Sequence, residues 1–276
     1  MHRTADGIGA SAFVRAAIAL VLFAAGAGAL PLLGAASAGV PIAPLLAFPP
    51  LPRAINAPPF SRTAALALAA MIGMLLAPFV WRWWQRPRTV TASARAMPWW
   101  GWAGALLLAA SWLVAWTRLP ALAEIQRYTF TPLWLGYILV VNAWSYRRSG
   151  HCLMYDRARY FVALFPLSAI FWWYFEYLNR FVHNWHYVGV DTLSAGQYAL
   201  EASVPFSTVL PAVLSTAQWL GTFPRMQLAF ARWHPVRWAN APVVTWGSLS
   251  VGIAGLIAVG RWPPYCYPLV CVAPFA

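Results

Sequence analysis

The chain has 276 residues, of which 61% are hydrophobic and only 9% are charged, and its formal net charge is +13. A soluble domain carries about 25% charged residues, so this composition excludes a globular protein with a water-covered surface. Several apolar stretches approach the ~20 residues that a helix needs to cross a bilayer. The alternating pattern of a membrane β-barrel is absent. We therefore predict an all-α integral membrane protein, a helical bundle in one membrane domain.

The basic residues identify the partner of this chain as a membrane and exclude nucleic acid. All 19 of them are arginines, and they are spread along the chain in short loops, which is typical of topology signals. The absence of lysine excludes a retinal protein, which needs a lysine Schiff base. We predict a bacterial-type inner membrane as the location and the lipid bilayer as the partner. The three cysteines, Cys152, Cys266 and Cys271, form neither a CxxC motif nor a zinc pattern.

The apolar pattern predicts seven membrane spans, at residues 12–34, 63–81, 99–116, 130–146, 160–181, 198–220 and 242–260. Residues 36–38, Ala-Ser-Ala, imitate a signal-peptidase site, but the first run is too long for a signal peptide, so a retained helix is favoured. The apolar tail at 263–276 is too short to span as a helix. We expect it either to re-enter from the outer side or, as favoured, to be the truncated start of an eighth helix. Asn142 in the fourth span predicts an interhelical hydrogen bond.

Two further features concern the loops. Thirteen arginines fall in the N-terminal segment and the alternate loops on one side, against six on the other, so the N-terminus is predicted to be cytoplasmic.

Residues 41–59 contain seven prolines, a density that predicts no regular helix. This segment is expected to be an outer loop that lies in the interface or packs on the bundle.

A polar stripe interrupts the apolar fifth span. Glu176, Asn179, Arg180 and His183 fall at i, i+3, i+4 and i+7, which places them on one face of a helix. His186 and Tyr187 continue this face if the helix does not break. Polar groups within an apolar segment must face protein, water or a ligand. The stripe therefore predicts a polar pocket that opens to the outer side.

Acid–base chemistry is the leading functional hypothesis for this pocket. Three of the six acidic residues, Glu176, Asp191 and Glu201, fall within 26 positions. Glu176 and Glu201 are the candidate acid–base catalysts, and Arg180 is the group that balances an anion. The two carboxylates are expected to approach each other across the hairpin of spans five and six. The candidate binding residues are Trp172, Asn179, His183, Asn184, Trp185, His186, Tyr187 and Asp191.

The same region resembles the membrane-embedded lycopene cyclases over two helices at most. The resemblance rests on an acidic or amide-bearing helix, the Asn-Trp-His-Tyr turn at 184–187, and a following helix with Glu201 near Pro205. The paired glutamates of that family are missing here. A proton donor that faces an apolar groove suits an enzyme or binding protein for a lipid-like or isoprenoid-like molecule.

Other interpretations stay open. Glu176 and Arg180 are in the favoured order for a helical ion pair, which is a purely structural role. His183 and His186, with Glu176 and Asp191, form a weak metal-binding pattern. A small transporter is disfavoured because neither midplane charge nor repeated halves are evident, and a non-catalytic scaffold or assembly protein is the remaining class. The sequence decides neither enzymatic activity nor a cofactor, and it gives no oligomeric state.

Overall fold

The computed structural model describes residues 5–50, 60–86, 95–117, 119–183, 185–187, 189–190, 192–231 and 240–262. All regular secondary structure within these ranges is helical, which confirms the all-α prediction. The described α-helices are α1 (Ala5–Ser37), α2 (Ile42–Leu46), α3 (Arg62–Trp84), α4 (Trp99–Trp116), α5 (Ala123–Gln126), α6 (Phe130–Ser149), α7 (Leu153–Asp156), α8 (Ala158–Val182), α9 (Ala195–Phe206), α10 (Val209–Gly221), α11 (Pro224–Phe230) and α12 (Ala241–Arg261). A short 3-10 helix, Pro120–Leu122, precedes α5.

Six helical segments in the described chain are long and apolar enough to cross a membrane. They are Ala17–Ser37, Arg62–Trp84, Trp99–Trp116, Ala158–Val182, Ala195–Gly221 and Pro242–Arg261. Each coincides with one of the predicted spans. The other predicted span is present as α6, a helix of 20 residues whose last turn carries Arg147 and Arg148, and it is not among the six.

The described residues divide into two compact units. The first unit draws on residues 1–55, 175–195 and 236–276, and the second on 56–174 and 196–235. Helix α8 therefore begins in the second unit and contributes its last two turns to the first. Asn184, Asp191 and the tail at 263–276, about which the sequence makes predictions, lie outside the described residues.

In the first unit, α1 packs against α12 through small residues. A Cβ atom placed on Gly34 would lie 1.9 Å from the carbonyl oxygen of Ile257, and one on Gly260 would lie 1.9 Å from that of Pro31. Only glycine permits this approach of two helix backbones, as is common between membrane helices. At the end of this contact, Arg261 Nη1 donates to the backbone oxygen of Ser37 at 2.7 Å.

In the second unit, α4 packs against α6 in the same way. A Cβ atom on Gly136 would lie 2.6 Å from the backbone nitrogen of Leu108 and 2.9 Å from the oxygen of Gly104. On another face of α6, Asn142 is fully buried and its amide donates to Ser215 Oγ of α10 at 2.8 Å. The predicted interhelical hydrogen bond of Asn142 is thus confirmed.

The sixth predicted span is not one continuous helix. It is broken at residues 207–208 between α9 and α10, with Pro205 before the break and Pro211 after it. The hydroxyl of Ser168, on α8, enters this break. It donates to the oxygen of Phe206 at 2.5 Å and accepts from the nitrogen of Leu210 at 3.0 Å, two backbone groups that would pair directly in an unbroken helix. An inserted side chain is a recognised cause of a helix break.

The expectation of no regular helix in the proline-rich segment is wrong for residues 42–46, which form α2. The physical reason is the position of the prolines. Pro41 is the N-cap residue and Pro44 lies in the first turn, where the backbone nitrogens have no intrahelical partner. Leu45 is buried within the first unit, so this part of the segment packs on protein.

Candidate functional site

The polar stripe of the fifth span lies at the end of α8, and the helix ends inside it. The last helical residue is Val182, and His183 has a left-handed backbone with φ of +51°. Its backbone nitrogen still donates to the oxygen of Asn179 at 2.8 Å. Histidine is one of the residues that enter the left-handed region more readily. His186 and Tyr187 therefore do not continue the helical face, because the chain reverses at this point.

The reversed chain returns to Glu176. Glu176 is only 3% exposed, so an acidic side chain is buried within an apolar segment. The indole nitrogen of Trp185 donates to Oε1 at 2.8 Å, and the hydroxyl of Tyr187 donates to the same oxygen at 2.5 Å. Among the described residues, no hydrogen bond or ion pair engages the second oxygen, Oε2. The carboxylate thus fixes two aromatic side chains of the turn through one oxygen.

Asn179 holds the backbone of the same turn. Its side-chain nitrogen donates to the oxygen of Trp185 at 2.8 Å, and its Oδ1 accepts from the nitrogen of Trp185 at 3.3 Å. Both ends of one buried amide are therefore used by one residue six positions later. This geometry explains why an amide is found one helical turn after the carboxylate: Asn179 positions the backbone of residue 185 while Glu176 positions its side chain.

The other polar and aromatic residues near the end of α8 connect it to the N-terminal part of the first unit. Arg180 Nη1 donates to the backbone oxygens of Leu45 and Ala47, each at 2.8 Å. The hydroxyl of Tyr177 donates to the oxygen of Gly28 in α1. Because a guanidinium is a strong donor, these contacts supply donors to carbonyl groups at the end of α2, where no following turn provides N–H groups.

The remaining predicted residues are distributed differently. Trp172 and Glu201 belong to the second unit, whereas Glu176 belongs to the first. Trp172 packs its ring 5.8 Å from that of Phe206. Glu201 forms an ion pair with Arg127 at 3.6 Å, and both side chains are substantially exposed. The predicted approach of Glu176 to Glu201 stays a prediction.

Arg127 was not a predicted site residue, and its surroundings keep it charged. It donates to the hydroxyl of Tyr128, and this hydrogen bond is the main cause that raises the pKa of Arg127 further above its ordinary value. The guanidinium carbon also lies 4.5 Å from the centre of the Tyr128 ring. An arginine that is fixed in this way pairs with Glu201 at an exposed position of its own unit.

The two predicted histidines differ in their surroundings. His183 is half-buried at the end of α8, and His186 is exposed in the turn. Within the described part of the chain, no group of three or more His, Cys, Asp or Glu side chains is arranged to hold a metal ion. Asp191, one of the four residues in the metal hypothesis, lies outside that part.

The described part of the chain defines a class: it is all-helical and contains six candidate membrane-spanning helices, as in a multi-pass membrane protein, with a buried carboxylate near the end of one of them. Comparison with protein-family models, with curated proteins and with solved structures finds no match for this chain.

Proposed function

We propose that this chain is a seven-span inner-membrane protein with a cytoplasmic N-terminus that binds a lipid-like or isoprenoid-like molecule and uses Glu176 in acid–base chemistry. The seven-span arrangement is supported by the six candidate spans together with α6, whose 20 residues extend about 30 Å, the thickness of the hydrocarbon core. The orientation is supported by the arginine distribution.

One observation carries the acid–base proposal: the contact between the buried carboxylate and Tyr187. Glu176 is buried, whereas Tyr187 is 37% exposed, and 2.5 Å separates the hydroxyl from Oε1. This hydrogen bond connects a shielded carboxyl group to the surface through one proton-bearing group. A catalytic acid needs both a protected site and a route by which its proton is replaced. The second oxygen, Oε2, is the one that faces the substrate in this proposal.

The main competing explanation is that Glu176 only anchors the turn. An anchor needs an acceptor atom, and glutamine at position 176 retains Oε1 with nearly the same shape. A proton-transferring acid needs an ionisable group, and the loss of one general acid or base typically lowers a rate by about 10²–10⁴-fold. The substitution Glu176→Gln therefore separates the two roles, because it preserves the anchor and removes the acid.

The test compares lipid extracts from cells that express the wild type, Glu176→Gln or Glu124→Gln. Glu124 is an exposed glutamate in the short helix α5, so its variant is the matched control for the same chemical change. We expect untargeted mass spectrometry to find a lipid-like species whose amount differs between cells with the wild type and cells without the protein. The Glu124→Gln cells should match the wild type, and the Glu176→Gln cells should match the cells without the protein. Melting temperature and chromatographic profile should be unchanged. An unchanged lipid profile in the Glu176→Gln cells refutes the catalytic role.

The ion-pair hypothesis has its own test. If Glu176 and Arg180 only neutralise each other, each single glutamine variant leaves an uncompensated charge, and the double variant restores folding yield and lipid profile together. If Glu176 is an acid, the double variant remains inactive. Full recovery in the double variant would favour the structural role.

The proposed topology is tested by cysteine labelling in intact cells. A cysteine at position 157 should react only with reagents that enter the cytoplasm, and one at position 191 should react with impermeant reagents. The opposite labelling pattern would overturn the orientation.

A further inference from the structure

An open apolar groove runs along one side of the α4–α6 pair in the second unit. Its volume is about 870 Å³, and its lining includes Leu108, Ala109 and Trp112 of α4 and Leu133, Tyr137 and Trp144 of α6. This volume lies within the ~300–1,000 Å³ of typical ligand sites. From Leu133 to Trp144 the groove follows α6 for about 16 Å at ~1.5 Å per residue. That length is close to the ~15 Å depth of hydrocarbon in one leaflet of a bilayer.

At one end the groove meets a smaller, more polar pocket of about 340 Å³. Trp144 lines both, so the two adjoin at this side chain. The other lining residues of the small pocket are Arg147, Arg148, Trp219 and Phe223. Two arginines and three aromatic residues thus line the pocket at this end of the apolar groove.

Arg148 is fixed within this pocket. Its Nε donates to Thr222 Oγ1 at 2.9 Å, and its guanidinium carbon lies 3.9 Å from the centre of the Phe223 ring. These contacts use Nε and one face of the guanidinium group. In the described chain, neither Arg147 nor Arg148 has an ion pair, and no hydrogen bond involves their terminal nitrogens. Two neighbouring arginines therefore line this pocket without an acidic partner among the described residues.

We propose that the groove and the arginine pocket together bind an anionic phospholipid, with an acyl chain along α6 and the phosphate at Arg147 and Arg148. Arginine matches phosphate because its paired nitrogens donate to two oxygens at once. An apolar groove of leaflet length fits the acyl chain. This site shares no residue with the Glu176 site and does not depend on its function.

Two other occupants fit the charges less well. A second copy of this chain carries a net charge of +13, so it brings mainly like charge towards the two arginines. A free anion uses the small pocket and leaves the apolar groove empty. An anionic phospholipid satisfies both ends, and membranes supply it at high concentration next to such arginines.

The experiment is a lipid titration of the full-length chain in detergent, followed by native mass spectrometry. The probes are phosphatidylglycerol and phosphatidylcholine with identical acyl chains, and glycerol 3-phosphate as a headgroup without chains. We expect the wild type to retain phosphatidylglycerol at least about fivefold more than phosphatidylcholine, which corresponds to ~1 kcal/mol for one arginine near an anionic head. Glycerol 3-phosphate should not compete at equal concentration.

Three variants locate the site. Arg147→Gln with Arg148→Gln should reduce the headgroup preference to near unity, whereas Arg157→Gln with Arg159→Gln, two exposed arginines that line neither pocket, should leave it unchanged. Ala109→Trp fills the groove from an exposed wall position and should lower retention of both lipids. If the double variant does not fold, the single variant Arg147→Gln replaces it, because Arg147 is exposed and its substitution does not disturb packing. This variant should also reduce the headgroup preference.

Several outcomes would overturn the inference. Equal retention of both lipids by the wild type removes the headgroup role, and an equal loss in the Arg157 and Arg159 control indicates bulk charge attraction. Competition by glycerol 3-phosphate identifies an anion pocket that does not use the groove. A dimer that disappears in Ala109→Trp, with lipid retention unchanged, identifies a second copy as the occupant.

Discussion

The break between α9 and α10 offers a sharp test of how this chain satisfies its backbone inside a membrane. Replacing Ser168 by alanine removes one hydroxyl that serves two backbone groups, the oxygen of Phe206 and the nitrogen of Leu210. Ser168 is only 1% exposed, so water does not replace the hydroxyl. Direct pairing of the two groups requires the helix to close, and Pro211 opposes closure because its ring clashes with the carbonyl of residue 207.

The expected cost follows from these two hydrogen bonds. Single interhelical hydrogen bonds in membrane proteins contribute about 0.6 kcal/mol on average and up to ~1.7 kcal/mol, so two bonds predict a loss of about 1–3 kcal/mol. For a chain of this size the loss corresponds to a decrease in Tm of about 3–9 °C. The assay is thermal unfolding of the purified protein in detergent, followed by intrinsic tryptophan fluorescence.

Ser207 provides a matched control beside the same break. Its hydroxyl donates only to the oxygen of Val204, three residues earlier at 2.7 Å, and it is accessible to solvent or lipid. We expect Ser207→Ala to lower Tm by less than about 2 °C, since surface substitutions are usually within ~0.5 kcal/mol. Equal Tm values for Ser168→Ala and Ser207→Ala would refute the argument that the inserted hydroxyl stabilises the break.

Three further predictions concern other buried contacts. Asn142→Leu should destabilise the chain by about 2–3 kcal/mol in the same assay, because it leaves Ser215 and the backbone nitrogen of residue 154 without their partner. Gly136→Ala should cost about 1–3 kcal/mol by forcing α4 away, whereas Gly73→Ala, which meets no atom within 4 Å, should be neutral or stabilising. Burial raises the pKa of the Cys152 thiol. Alkylation of Cys152 by iodoacetamide should therefore require a higher pH than alkylation of an exposed cysteine introduced at position 149, because only the thiolate reacts. Identical pH profiles for the two cysteines would contradict this.

The sequence predicted the helices well because each span carries a long apolar run, which is a local signal. The observed α8, Ala158–Val182, extends the predicted span by only a few residues, and α6 does the same. The break in the sixth span was not predicted, although Pro205 and Pro211 are a visible signal for it. What the sequence did not contain is the partner: Ser168 lies 38 positions before Phe206, and its role depends on how α8 packs against the break.

The candidate site was predicted less completely because it depends on a chain reversal. The spacing of Glu176 and Asn179 correctly placed both on α8, but helical periodicity extends a face only while the helix continues. The left-handed His183 ends it, and the partners of Glu176 then come from the turn. The arginines at 147 and 148 were interpreted only as topology signals. The groove next to their pocket is formed by residues of two helices, α4 and α6, so no local pattern in the sequence indicates it.

The hydrogen-bond partners of the buried polar groups distinguish structural groups from candidate binding groups in this chain. Asn142, Ser168 and Asn179 each donate and accept within the protein, so their polarity is fully used by packing. Arg147 and Arg148 retain donors without acceptors in the described chain, and unpaired donors next to an apolar groove favour a ligand that supplies both an anion and a chain. Glu176 is intermediate, because Oε1 has two donors and Oε2 has none. The chemistry of this protein should therefore be sought first at the atoms that folding leaves unsatisfied.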